Sequence, residues 1–300
     1  RPRYMTKALR YTAWPFLLML CALASMPSHA ETAMPFSKGL LWKVEGAPTT
    51  RPSYVFGTVH SDDPRVAQPP APVSEALRGA RVFIMEMLFD ESNIAAMAQS
   101  MFASDGRSLK SRLTPAEYAT AVRAFAQRGI PEQIVQNIAP WAAMATLSIP
   151  PSQGGVPLDL VLHSNAVAAG KPAQGIETAA EQLAMFTNMS ESDQIALLKL
   201  TLQDLPRQTQ IYDELFRLYT QRDLAGIMKF SERHGPKDPA LMKRMMGSMI
   251  DMRNQRMVDR VQNELRNGGA FVAVGAMHLP GENGVLNLLK RRGYKVSAVY

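Results

Sequence analysis

Tyr54-Val-Phe-Gly-Thr-Val-His60, near the start of the chain, and Val272-Ala-Val-Gly-Ala-Met-His278, near its end, decide the fold. Each is a short run of β-branched, aromatic and small apolar residues that closes on Gly-x-x-His, the composition of a buried strand leading into a loop. They predict strands at Ser53–Phe56 and Phe271–Val274, and runs of similar character predict four more at Leu40–Val44, Arg81–Met85, Lys171–Ile176 and Lys295–Tyr300. Residues 91–148 and 190–267 carry helical spacing instead. Strands at both ends of a chain whose middle is helical must meet across that middle. The expected fold is therefore α/β, a mixed sheet formed from N- and C-terminal strands with a large helical insertion or subdomain.

Start and stop signals support this division. Thr114-Pro-Ala-Glu117 and Thr178-Ala-Ala-Glu181 read as capping boxes, and Gly293 reads as the left-handed stop of a helix over 284–292. A single long helix is expected over 237–266, with a core stripe of Met242, Met246, Met249, Ile250, Met257, Val261 and Leu265. Arg253 stands within that stripe, with Asn254 beside it. A guanidinium on a core face needs a carboxylate or a bound anion, and Arg253→Met should suit the apolar face at little cost in stability. The loop Pro150-Pro-Ser-Gln-Gly-Gly-Val-Pro157 is the expected mobile connection, a candidate lid.

Residues 1–30 read as a cleaved export leader, and residues 31–300 as one domain. Arg1, Arg3, Lys7 and Arg10 precede an apolar run over 14–26, and Ser28-His29-Ala30 supplies the small residues of a cleavage site. The expected location is periplasmic or secreted, with no stable membrane insertion after cleavage. The leader holds four of the basic groups and none of the acidic ones, so the net charge falls from +7 to +3 without it. A weakly basic remainder with no Lys/Arg run interleaved with aromatics argues against nucleic acid as a partner. Cys21 lies in the leader, which excludes a disulfide or a thiolate nucleophile from the mature part.

Ligands of open α/β sheets bind at the carboxyl ends of strands. Four polar side chains fall there: His60, Glu86, Glu177 and His278. Glu86 is the lone charge closing an apolar strand, and a buried carboxylate needs a cation, a metal or strong donors. Two imidazoles and two carboxylates suit a metal or a proton relay. His163 and His234 lie in helical stretches and read as surface or capping residues. Gly-x-Ser-x-Gly, His-Glu-x-x-His, Walker and Gly-x-Gly-x-x-Gly motifs are all missing, which removes support from serine hydrolases, zincins, nucleotidases and dinucleotide enzymes.

Taken in order, Leu41-Trp-Lys-Val-Glu-Gly46, Phe56-Gly-Thr-Val-His60, Met85-Glu-Met87, Gly170-Lys-Pro-Ala-Gln-Gly-Ile-Glu-Thr178, Glu181-Gln-Leu183, Arg253-Asn254 and Val274-Gly-Ala-Met-His-Leu-Pro-Gly-Glu-Asn-Gly284 resemble the TraB/GumN family. That family is related to the Tiki-type metalloproteases and to the erythromycin esterase superfamily. The resemblance implies an exported hydrolase, peptidase-like and dependent on a divalent transition metal (Mn, Co or Zn), in which an activated water attacks a peptide or small-molecule substrate. It implies metal ligation or proton transfer by His60 and His278. Glu86 would be ligand or general base, and Glu177 a further ligand. Arg253 with Asn254 would stabilise an oxyanion or orient carboxylates. Two alternatives stand beside it: a metal-free His/Glu esterase-type hydrolase, and a periplasmic peptide-binding protein that does not turn over.

Overall fold

The computed structural model describes residues 34–300, so the leader expected over 1–30 lies outside the described residues. Six strands form one sheet: β1 (Leu41–Gly46), β2 (Thr49–Thr58), β3 (Val82–Met85), β4 (Ala173–Gly175), β5 (Ala270–Gly275) and β6 (Lys295–Ala298), in the spatial order β4-β3-β5-β2-β1-β6. β4, β3, β5 and β2 run parallel, whereas β1 is antiparallel to both β2 and β6. The sheet is thus mixed, with β1, β2 and β3 from the N-terminal part of the chain, β5 and β6 from its C-terminal end, and edge strand β4 from its middle. β3 and β5 are buried along nearly their whole length, which is why they read as unbroken apolar runs rather than alternating ones. Observed bounds differ from the expected ones by at most four residues. The largest loss is at the sheet edge, where Lys171–Ile176 contracts to the three residues of β4. The largest gain is β2, which the hairpin with β1 extends back to Thr49.

Two apolar clusters hold the fold. One surrounds the sheet and includes Phe56, Phe83, Phe271, Leu158, Met257 and Leu286. The other lies within the helical insertion around Leu109, Phe125, Leu147 and Leu198. Both capping boxes form, Thr114 with Glu117 and Thr178 with Glu181. Gly293 adopts φ +90° just past the helix Val285–Arg291.

The single helix expected over 237–266 is not what forms. The chain makes a helix over Pro239–Met246, a π-helical turn over Gly247–Asp251, and a second helix over Met252–Asn267. A π turn inserts extra backbone and offsets the side-chain register on either side of it. The stripe is therefore split. Met257, Val261 and Leu265 are buried against the sheet, as expected, while Met242, Met246, Met249 and Ile250 stay half-buried. His163 and His234 are also not plain surface groups. Both are half-buried, with their rings beside Phe83 and Phe230 respectively.

Candidate active site

The carboxyl ends of β4, β3, β5 and β2 deliver, in that order across the sheet, Glu177, Glu86, His278 and His60. β2 and β5 are neighbours in parallel register, Gly57 opposite Val274 and Thr58 opposite Gly275, so the two Gly-x-x-His segments leave the sheet side by side. Their glycines are there for close approach. A Cβ on Gly57 would stand 2.7 Å from a Leu279 methyl and 3.1 Å from the Ala276 backbone. A Cβ on Gly275 would stand 3.3 Å from Glu86 Oε1, 3.5 Å from the His278 ring and 3.7 Å from His60 Nε2. Gly275 is thus the floor onto which three candidate groups converge.

Arg253 organises these groups from above, reaching down from the helix that follows the π turn. Its Nη2 donates to Glu86 Oε2 at 2.5 Å and to Glu177 Oε2 at 2.6 Å. Its Nε donates to both Glu177 oxygens, and its Nη1 to the Met249 carbonyl and to His278 Nε2 at 3.2 Å. All five N–H groups are taken, so none remains for an oxyanion. One guanidinium thus holds the carboxylates of Glu86 and Glu177 together. Arg256 adds a further contact to Glu177, whose side chain has no exposed surface. Gln182 Nε2 stands 3.5 Å from an oxygen of each glutamate.

Each titratable group is biased by its neighbours. Burial alone would raise the Glu86 pKa. The charges of His278, His60 and Arg253, together with the Gly275 N–H at 2.7 Å from Oε1, overcome that and hold it down at about 2. Burial pushes His278 the other way, down to about 4, with Arg253 and His60 adding to the effect against Glu86. Asn254 fixes its tautomer. The Asn254 amide donates to the Asn283 carbonyl, which turns Oδ1 toward His278 Nδ1 at 2.6 Å. Nδ1 then carries the proton, and the Nε2 lone pair faces Arg253 and Glu86.

His60 has a partner that the sequence reading missed. Asp159 Oδ2 accepts from His60 Nδ1 at 2.9 Å, while Asp159 Oδ1 accepts from Thr58 Oγ1 at 2.6 Å. Partial loss of water around the ring lowers the imidazole's pKa, but the charge and hydrogen bond of Asp159 outweigh it, and with help from Glu86 raise it to about 9. The imidazole keeps 60% of its side-chain surface open to solvent, and its Nε2 points to the Gly275 floor. Asp159 opens the helix Leu158–Ala168, directly after the Pro/Gly loop. An acid in a first turn reads as an ordinary partner of the helix dipole, so nothing local separates it from that role. The loop itself is tied down, since Asp62 accepts from the Ser152 hydroxyl and the Gln153 N–H.

Two imidazole nitrogens and a carboxylate oxygen form a donor set of the type that binds Zn, Mn or Co, and Gly275 leaves space among them. His60, Glu86 and His278 would fit such an ion by donor chemistry once His60, whose protonated form Asp159 favours, gives up its Nε2 proton and Arg253 Nη1 releases His278 Nε2. Glu177 fits less well, because its side chain has no exposed surface and arginines hold both of its oxygens, whereas Glu86 gives only one oxygen to an arginine and the other to the Gly275 N–H. Among the described residues, no three His, Cys, Asp or Glu groups already stand around one point at ligating range.

The chain is similar to metalloproteases. It is 26% identical to metalloprotease TIKI1 of Danio rerio over 348 aligned positions, covering 95% of this chain and 70% of that protein. It is 26% identical to metalloprotease TIKI1 of Homo sapiens, over 85% of this chain and 61% of that protein. To metalloprotease TIKI2 of Danio rerio it is 25% identical, over 94% of this chain and 67% of that protein. The chain thus spans about two thirds of the length of these relatives. No solved structure matches it. The model of the TraB/PrgY/gumN family matches residues 40–298, which takes in all six strands and every site residue described above, and the chain belongs to that family.

Proposed function

We propose that this chain is a hydrolase of the peptidase type, in which His60, Glu86 and His278 would hold a divalent transition metal. The observation that carries the proposal is the convergence of these three groups on a glycine floor at the ends of adjacent parallel strands. The likeness to metalloproteases supports it. A bound divalent ion would polarise a carbonyl and lower the pKa of water. The protein's own groups set the geometry for that chemistry. Asp159 orients His60, Asn254 directs the His278 lone pair inward, and Arg253 positions Glu86 while Glu177 anchors Arg253. Glu86, held ionised with its pKa at about 2, is suited to ligating the ion rather than to accepting a proton. The substrate is a peptide, or a small molecule with a comparable acyl bond.

A metal-free His/Glu hydrolase is the second reading. It is favoured by Arg253 Nη1, which already engages the His278 lone pair that a metal would need. One experiment addresses both readings and the non-catalytic binding alternative. Purified protein, chelated and then supplied with Zn, Mn or Co, is incubated with a peptide library and the products are read by mass spectrometry. Cleavage only with metal, lost in His60→Ala and His278→Ala but kept in His163→Ala, is the expected result. Cleavage in chelator favours the second reading, and binding without cleavage overturns the hydrolase. Export is part of the same proposal, supported by the basic, apolar and small-residue order of residues 1–30. N-terminal sequencing of secreted protein should begin near Glu31, and an intact leader in the membrane fraction would contradict it.

A further inference from the structure

Beside the candidate site lies an apolar cleft of about 340 Å³ that none of the roles above uses. Its walls include Met246, Met249 and Ile250 from the π-helical region, Leu200 and Ile211 from the helical insertion, and Met277. Two of these residues join it to the site. Met277 immediately precedes His278, and the Met249 carbonyl accepts from Arg253 Nη1. The π turn Gly247–Asp251 explains why half the methionine stripe is here rather than in the core, because the register offset turns it away from the sheet.

The chemistry of the walls selects the ligand. Four of the polar side chains around the cleft are committed to backbone carbonyls, Thr201 to Leu197, Ser148 to Met144, Gln208 to Leu147 and Tyr212 to Ser148, and Asp204 accepts from Arg207; Ser231 and His234, whose Nε2 lies 3.6 Å from Glu214, add the remaining polar groups at the rim of one helix. Most of what faces the space is hydrocarbon and thioether. Methionines are polarisable and adapt to irregular shapes, which suits a pocket that takes several apolar side chains rather than one. The volume is at the small end of ligand pockets. Building on the hydrolase reading, we propose that this cleft is the subsite that seats a large apolar side chain, such as Leu, Met or Phe, of a peptide whose backbone lies across His60, Glu86 and His278. Met249 and Met277 give the cleft its continuity with the site, since the Met249 carbonyl accepts from Arg253 and Met277 adjoins His278.

The test is binding, so that it does not depend on turnover. Fluorescein-labelled Gly/Ser hexapeptides carrying one central Leu, Met, Phe, Asp or Lys, N-methylated against cleavage, are titrated against the full chain by anisotropy. The apolar peptides should bind about tenfold or more tightly than the Asp and Lys peptides, as expected for burying one side chain. Leu200→Asp should abolish the preference by charging the wall. Ile211→Trp should abolish it by filling the cleft while keeping it apolar, so the result does not rest on a variant that fails to fold. Equal affinity across the set overturns the proposal, as does an apolar preference retained in a folded Ile211→Trp protein. A dimer of the full chain that either variant dissolves would show a second copy in the cleft and also overturn it. Selective binding without cleavage under any metal condition would leave the subsite standing while removing the hydrolase reading.

Discussion

Arg253 is the residue on which the site depends most, and its surroundings change what its replacement should do. On an apolar stripe, Arg253→Met looks harmless. In the structure its guanidinium neutralises two buried carboxylates, one of them with no exposed side-chain surface. Removing one partner of a buried ionic cluster typically costs about 3–5 kcal/mol, and urea unfolding of Arg253→Met should show a loss of that order. Arg253→Lys keeps the charge but has three donors for five acceptor contacts, so it should recover part of the stability and little of the activity. Full activity in the lysine variant would mean that the fork geometry is irrelevant. Asp159→Asn tests the other side of the site. Loss of the carboxylate behind His60 should lower kcat/KM or metal affinity by about 10–100-fold with little change in fold. An unaffected variant would reduce Asp159 to a helix-start residue. Glu86, His278 and Arg253 were legible from the sequence because each is a polar group where an apolar one was due, or ends a strand. Asp159, Thr58, Gln182 and Arg256 were not, since their partners lie up to 101 residues away and their local settings are ordinary.

At the scale of elements, the helix that begins just after Glu177 and the helix that carries Arg253 are clamped by Glu181. It completes the capping box at Thr178 and receives both Nη groups of Arg260, one turn beyond Arg256. The Arg260 hydrogen bonds, first, and the Thr178 N–H hold its carboxyl near 2, below the ordinary value of 4.5. A depressed carboxylate pKa contributes stability that is fully present above 4.5 and is lost as pH falls toward 2. Glu181→Gln should therefore be less stable than the parent at pH 7, by about 1 kcal/mol for a cap and a partly exposed pair. That difference should shrink between pH 4.5 and 2. Urea midpoints at a series of pH values provide the check, and a constant difference at all pH values would assign the effect to packing. The capping boxes were readable because their signature is local. The π turn was not, because Gly247-Ser-Met-Ile-Asp251 has helical composition and the offset it introduces becomes visible only when the two halves of the stripe meet different partners.

Across the whole molecule, the sheet is closed by segments more than two hundred residues apart, β2 on β5 in parallel and β1 on β6 in antiparallel pairing. Strand identity was legible from composition, and so was the need for the two ends to meet. Strand order was not, because apolar runs state that they are buried without stating beside what. The helical insertion carries an apolar cluster separate from that of the sheet, which predicts two levels of cooperativity. Phe271 is fully buried with its ring 6.3 Å from that of Phe56 and 6.2 Å from that of Phe83. Phe125 is equally buried, among Leu109, Leu147 and Leu198. Either change to Ala should cost about 3–5 kcal/mol locally, but the two should differ in reach. Phe271→Ala weakens the element on which every other segment is seated, so amide hydrogen exchange should quicken in the strands and in the insertion together. Phe125→Ala should quicken exchange over 109–147 and 191–204 while the amides of β3 and β5 keep their protection. If strand amides accelerate equally in Phe125→Ala, the two clusters unfold as one unit. The site at the sheet's edge would then share the stability of the insertion that shapes the neighbouring cleft.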